Sequence, residues 1–348
     1  MRVGLICPSN KIYMPYLSLY KRILDSSDVK YDVIYWDRFG IEEHSEFVYR
    51  DSKVGHRRGF VDYFMYSRFV KGVLNENNYD KVIVFSIQLV FFLKRTLIKQ
   101  FSNNFGIDIR DYNKIIKYFD FKNVVEHSLF VAISSPRYSE WLPKSDKYVI
   151  SHNAVINDLD ELREVSSLPS VTGKISVGCI GALRDLQINI DLIDSIKNDT
   201  SIHLNYHGEG DINSRLFSYL ADNKIDNVSL TGRYAREDEE RLYCNNDIIN
   251  VLRYNDSINN GTALPNRLYN ALIHGKPLMA FEGTYLAELV REYELGIVLD
   301  SFESTAIKIQ QFFEHFDSRE FDKNRVMFLK TVIESNEEFR KTVISALV

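Results

Sequence analysis

The chain has three cysteines among its 348 residues, Cys7, Cys179 and Cys244. Odd in number and without paired ligand spacing, they indicate neither a disulfide framework nor a zinc site, and reduced thiols fit a cytoplasmic protein. Long apolar runs are also missing. The longest, Val82 to Leu93, is interrupted by Ser86 and Gln88 and falls short of the ~20 residues that span a bilayer. The apolar start, Val3 to Cys7, runs straight into Pro8-Ser9-Asn10 without the basic flank and longer core of a signal peptide, so it reads as a first strand. Membrane contact is then at most peripheral, at the inner face. Positive charge is in deficit, with 43 Lys and Arg against 48 Asp and Glu and a net charge of -5. That balance argues against a nucleic-acid partner. One local basic cluster, Lys53, His56, Arg57 and Arg58, suits either a solvated loop or a patch facing acceptor phosphate or a membrane surface. No repeat recurs at a period of roughly 20–50 residues. The three-glycine dinucleotide fingerprint is missing too, and no Asp-any-Asp stretch is placed as a metal ligand.

What is present is enough apolar residue, 45% against 26% charged, to build packed cores. At roughly 150 residues per domain the length predicts two domains. Strands are predicted at residues 3–7, 33–36, 81–85, 105–109, 130–133 and 148–151. Helices are predicted between them at 16–24, 60–74, 88–99 and 114–127. From about residue 154 to 172 the pattern lapses, with Pro169 and Gly173 near its end, and a linker is expected there. Alternation then restarts, with strands at 175–180, 202–206, 228–230, 248–252, 278–281 and 297–299 and helices at 188–196, 213–221 and 237–244. Residues 305–348 read as helical throughout. Alternating strands and helices imply α/β domains with parallel sheets covered on both faces. The expected organisation is a first domain at 1–153, a linker at 154–172 and a second domain at 173–329, ligands binding at the carboxyl ends of the sheets.

The most informative stretch is Asn259 to Asp300. Asn259, Asn260, Gly261 and Thr262 read as a polar loop entering a helix from about Ala263 to His274, whose stripe of Leu264, Leu268, Ala271 and Leu272 faces a core. A helix start preceded by Gly261 and Thr262 offers backbone amides and a positive dipole end to a phosphate, with Arg267 one turn inside as a charged donor. The same residues suit an ordinary capped helix, with Thr262 or Asn260 as cap and Pro265 in the first turn.

The run Leu264-Pro265-Asn266-Arg267-Leu268-Tyr269-Asn270-Ala271, then Gly275-Lys276-Pro277-Leu278-Met279, Leu286 to Val290 and Leu295-Gly296-Ile297-Val298, resembles the C-terminal domain of GT-B glycosyltransferases, most closely family four. The resemblance implies two Rossmann-like domains facing a cleft, with the last helix, about residues 330–348, crossing back to the first. Ile180-Gly181-Ala182-Leu183-Arg184 resembles the family's first strand and glycine turn. Gly181 and Arg184 are then implied at the donor diphosphate, while Gln187 and Asn189 stand where a lysine is usual. Tyr206-His207-Gly208-Glu209-Gly210 resembles its strand-end glycine pair. Val228 to Gly232 resembles the next strand, placing Arg233 and Tyr234 beside the nucleobase, and Arg253 is implied at the same cleft. The helix start implies Gly261, Thr262, Ala263, Leu264 and Arg267 around the donor. The family's two glutamates fall near Thr262 and Asn270, neither acidic, and an Asn still hydrogen-bonds a ribose hydroxyl. In the first domain Asp108-Ile109-Arg110-Asp111-Tyr112 ends a strand. Asp111 is the base if transfer inverts configuration, Arg110 and Asp111 position substrates if it retains, and an Arg-Asp pair steadying a loop fits as well.

The implied activity is metal-independent transfer of a sugar from a UDP- or GDP-sugar, bound as substrate rather than cofactor. The implied acceptor is a carbohydrate, such as lipid-linked oligosaccharide in bacterial surface or capsular polysaccharide assembly. Two rivals keep the architecture: a sugar-nucleotide 2-epimerase-like isomerase, and a non-catalytic subunit, for which the missing glutamates and lysine speak.

Overall fold

The computed structural model describes residues 1–154, 156–165 and 173–347. The chain divides into two compact units, one of Met1–His152 with Glu334–Val348 and one of Asn153–Ile333.

In the first unit seven parallel strands, β1 Arg2–Cys7, β2 Lys30–Asp37, β3 Val48–Arg50, β4 Lys81–Phe85, β5 Phe105–Ile109, β6 Phe130–Ile133 and β7 Tyr148–Ile150, form one sheet in the order β3-β2-β1-β4-β5-β6-β7. The helices α1 Leu17–Ser26, α2 Phe60–Glu76, α3 Ile87–Gln100 and α4 Phe121–Glu126 cover it. Burial on both faces explains the apolar runs of β4 and β6, while β5, buried throughout, carries one acid, Asp108. The sequence pattern misses β3, a three-residue edge strand paired only with β2. The single helix expected at 114–127 is instead a 3-10 turn, Lys114–Tyr118, and then α4, because Asp120 caps the amide of Asn123 and starts a new helix.

The second unit holds six parallel strands, β8 Ile175–Ile180, β9 Ile202–His207, β10 Val228–Gly232, β11 Ile248–Asn250, β12 Leu278–Phe281 and β13 Gly296–Leu299, in the order β10-β9-β8-β11-β12-β13. Its helices are α5 Leu186–Ile196, α6 Asn213–Asp222, α7 Glu239–Cys244, α8 Ile258–Thr262, α9 Asn266–Ile273, α10 Tyr285–Glu292 and α11 Thr305–Glu314. Two apolar cores flank the sheet, one under α9 and α10, the other under α5, α6 and α11. The expected linker is only partly described, since residue 155 and residues 166–172 lie outside the described residues. Where it is described it packs on this unit: Leu159, Leu162 and Val165 join the core under α9, and the Arg163 amide donates to the Ile273 carbonyl at 2.9 Å.

The C-terminal segment is two helices, α11 and α12 Ser318–Leu347, broken at His315–Asp317 where the Asp317 carboxylate takes the Arg319 and Glu320 amides. Phe328, Leu329 and Val332 on α12 join the second unit's core, and Phe339, Val343 and Leu347 join the first unit's.

In both sheets the chain fills one side and then the other, so the order reverses between β1 and β4 and again between β8 and β11. At such a switch point the connections leave in opposite directions and open a crevice at the strands' carboxyl ends.

Candidate active site

At the second switch point the backbone is built for close approach. Gly181, Gly208 and Gly232, at the ends of β8, β9 and β10, all have positive φ, at 107°, 136° and 75°. Their turns are laddered: the Gly181 amide donates to His207 and the Gly208 amide to Gly232, at 2.9 and 2.8 Å. A Cβ at Gly208 would lie 1.9 Å from the Gly181 carbonyl oxygen, and one at Gly210 1.7 Å from that of Leu183. Glycine is therefore required at both for steric reasons. Asn189 is buried and its amide donates to the carbonyls of Arg184 and Asp185, each at 2.9 Å, holding the β8–α5 turn. It takes the place of the lysine expected there and serves the turn's backbone, while Gln187 bonds Asp191.

Arg267, in the first turn of α9, spans this switch point. Its guanidinium donates to the Ile180 carbonyl at the end of β8 (2.6 Å), to the Asn250 carbonyl at the end of β11 (2.9 Å) and to the Ala182 carbonyl (3.2 Å). One cation thus fastens the two diverging strands and fixes a positive charge at the mouth of the crevice. Arg184 is exposed just past the glycine turn, with no ion pair among the described residues. Arg233 forms an exposed pair with Glu209 at 3.2 Å, a contact weak enough to yield to a ligand. Arg253 follows β11 and is half-buried.

The expected polar loop at 259–262 is in fact a helix. Ser257 caps α8 through the Asn260 amide, and the amides of Gly261 and Ala263 donate to Ser257 and Asn259 within it. The Thr262 hydroxyl donates to Ile258, and the Leu264 side chain lies in the core. Those amides are therefore consumed by α8, and the helix start that faces outward is that of α9, at exposed Asn266 behind Pro265.

Asn270 donates to the Glu239 carboxylate at 2.8 Å. A glutamate from the first turn of α7 thus stands beside the position where the family pattern leads one to expect an acid. The sequence reading missed Glu239 because it lies 31 residues away in the chain; its only signal was the acidic start of α7. Tyr234 packs on the same core beside it, its hydroxyl pushed up to about 12 by burial and then by the Glu239 charge, with Arg267 acting in the opposite sense. Burial, then Arg241, lowers the pKa of His207, whose ring meets the Thr231 hydroxyl at 2.9 Å.

In the first unit Arg110 is nine-tenths buried and bonds Asp108 in bidentate fashion, at 2.5 and 2.6 Å. Residues two apart on an extended strand share a face, which lets Arg110 grip Asp108 in this way. Arg110 also donates to the carbonyl and hydroxyl of Ser151 and lies 4.5 Å over the Tyr16 ring. Tyr20 donates to Asp108 at 2.7 Å. Burial lowers the Arg110 pKa, but the charge of Asp108 outweighs it and the net shift is upward. Asp111 is exposed. The basic cluster divides in the same way: Arg58 is buried against Asp51, Lys53 pairs with Asp62, and Arg57 is exposed. Among the described residues no three His, Cys, Asp or Glu gather closely enough to hold a metal ion.

No family model and no curated protein sequence matches this chain. Solved structures do. The apo lipopolysaccharide outer core galactosyltransferase WaaB aligns over 100% of both chains, with a TM-score of 0.67 and 11% identity. Sucrose-phosphate synthase from Thermosynechococcus elongatus aligns over 99% of this chain and 100% of its own, at 0.70 and 15%. Anabaena HepE in complex with UDP and glucose aligns over the same shares at 0.63 and 14%. The two doubly wound sheets are the GT-B fold of these glycosyltransferase structures.

Proposed function

We propose that the chain is a glycosyltransferase that holds a nucleotide-sugar donor at the carboxyl ends of β8, β10 and β11 and passes its sugar to a carbohydrate acceptor. The observation that carries this reading is the switch-point arrangement itself. Tightly laddered glycine turns let a ligand approach the backbone, Arg267 holds the ends of β8 and β11, and Arg184, Arg233 and Arg253 follow the carboxyl ends of β8, β10 and β11 in the chain. A diphosphate needs both features, and its charge grows as the glycosidic bond breaks, so fixed guanidinium groups favour the transition state over the ground state. In this proposal the leaving diphosphate is neutralised by arginine rather than by a metal ion. Tyr234 stacks on the base, and Asn270, braced by Glu239, takes a ribose hydroxyl. Asp111 is the acceptor base for inverting transfer and a positioning group for retaining transfer. The HepE structure, which holds UDP and glucose, supports a UDP-sugar donor, and WaaB's named role in lipopolysaccharide supports a lipid-linked saccharide acceptor in surface-polysaccharide assembly. Neither neighbour favours the isomerase alternative.

A calorimetric panel of UDP-, GDP-, CMP- and TDP-sugars tests it. One class should bind, and free nucleoside diphosphate should be released only when acceptor is added. No binding by any sugar nucleotide, or an epimerised donor without acceptor, overturns the reading.

A further inference from the structure

The first unit carries a surface that the transfer reading leaves unused. Helix α2 buries Tyr66, Ser67, Val70, Val73 and Leu74. On the opposite side of its first two turns Phe60, Val61, Phe64 and Met65 are exposed by 63, 69, 46 and 43%. Spaced at i, i+1, i+4 and i+5 they form one exposed apolar face beside the ion-paired Asp62, and water alone does not explain it. The patch continues onto α3, since the Phe60 ring meets Phe92 and Phe91 at 4.8 and 6.1 Å.

The Asp62 carboxylate in the first turn of α2 is paired with Lys53 at 2.6 Å, and cations outnumber acids among the other charges around the face. Arg57 and Arg68 flank the α2 face, and α3 contributes Lys94, Arg95 and Lys99 and no acid; none of the five has an ion pair among the described residues. Lys94 lies 3.8 Å over the Phe91 ring. Together with Arg95 and Lys99 it lines a cavity of about 260 Å³ that also meets Ile98, Val124 and Asp120. The Asp120 carboxylate caps the Asn123 amide. In a chain of net charge -5 this is a local concentration of cations around exposed aromatic rings.

We infer that this face docks on an anionic lipid bilayer, with the α2 side chains entering the acyl boundary and Lys94, Arg95 and Lys99 holding headgroup phosphate. An apolar face rimmed by Lys and Arg is the arrangement that seats a helix in a membrane interface, and each rim cation adds attraction to anionic lipid that salt screens. The inference is independent of the donor site, whose residues lie in the other unit.

Flotation of the full chain with vesicles tests it. The unaltered chain should float with phosphatidylglycerol-rich vesicles, bind phosphatidylcholine vesicles weakly, and lose the difference as salt is raised. Phe60→Ser with Phe64→Ser should weaken binding at least tenfold, and Arg57→Glu with Arg68→Glu should do the same, with melting temperature and sugar-nucleotide affinity unchanged. The salt titration needs no variant, so it reads the charge contribution even if a substitution disturbs the fold. Equal binding to both vesicle types, no binding to either, or either folded double variant floating like the unaltered chain overturns the inference. So does binding of soluble glycerol phosphate in place of vesicles.

Discussion

Arg267 allows stability and ligand binding to be separated. Replacing it with Met keeps the length of the stem and removes three charged hydrogen bonds to the carbonyls of Ile180, Asn250 and Ala182. The first two acceptors sit at the ends of buried strands, and hydrogen bonds from a charged donor contribute about 1.5–3 kcal/mol each. Water reaches the site in the variant and recovers part of this, so a loss of about 2–4 kcal/mol is expected. For a unit of this size that is a drop of roughly 4–16 °C in melting temperature. Arg184→Ala is the matching control. Its guanidinium is exposed and unpaired among the described residues, so the melt should not move while sugar-nucleotide affinity falls about tenfold for one lost phosphate contact. Differential scanning fluorimetry and calorimetry on the same samples read both quantities. Arg267→Lys should recover little stability, because a single ammonium cannot span carbonyls on two strands. If Arg267→Met melts like the unaltered chain, the guanidinium does not fasten the switch point and the account of the crevice fails.

Gly208→Ala forces a residue at φ 136° and sets its Cβ 1.9 Å from a backbone oxygen. It should cost at least the ~1–3 kcal/mol of a strained backbone and abolish sugar-nucleotide binding; an intact melt with intact binding would refute the cradle. His152 is buried, and desolvation, then Arg110, lowers its pKa from 6.5 to about 4. The unfolded chain therefore binds the proton first as pH falls, and stability declines from pH 6.5 down to about 4, by about 3 kcal/mol in total. Denaturant melts across that range should flatten in His152→Asn, and an identical slope would remove this residue from the acid response.

Apart from β3, the strands of both sheets follow from the sequence alone, because strands covered on both faces are rich in apolar residues and such runs stand out against the helical period between them. β4, β5, β6, β8 and β12 agree with the pattern to within a residue. Where the pattern fails, a short-range contact decides: Asp120 splits a helix, Ser257 turns a supposed loop into α8, and β3 exists only because an edge of β2 is there to pair with it. The site divides in the same way. Glycine at 181, 208 and 232 is written in the chain, since no other residue tolerates those turns as readily. Composition and spacing gave no means of knowing that Arg267 would bridge β8 and β11 or that Glu239 would meet Asn270. Each of these pairings joins groups whose distance is set by strand order and not by sequence separation, so tertiary structure alone assigns their partners.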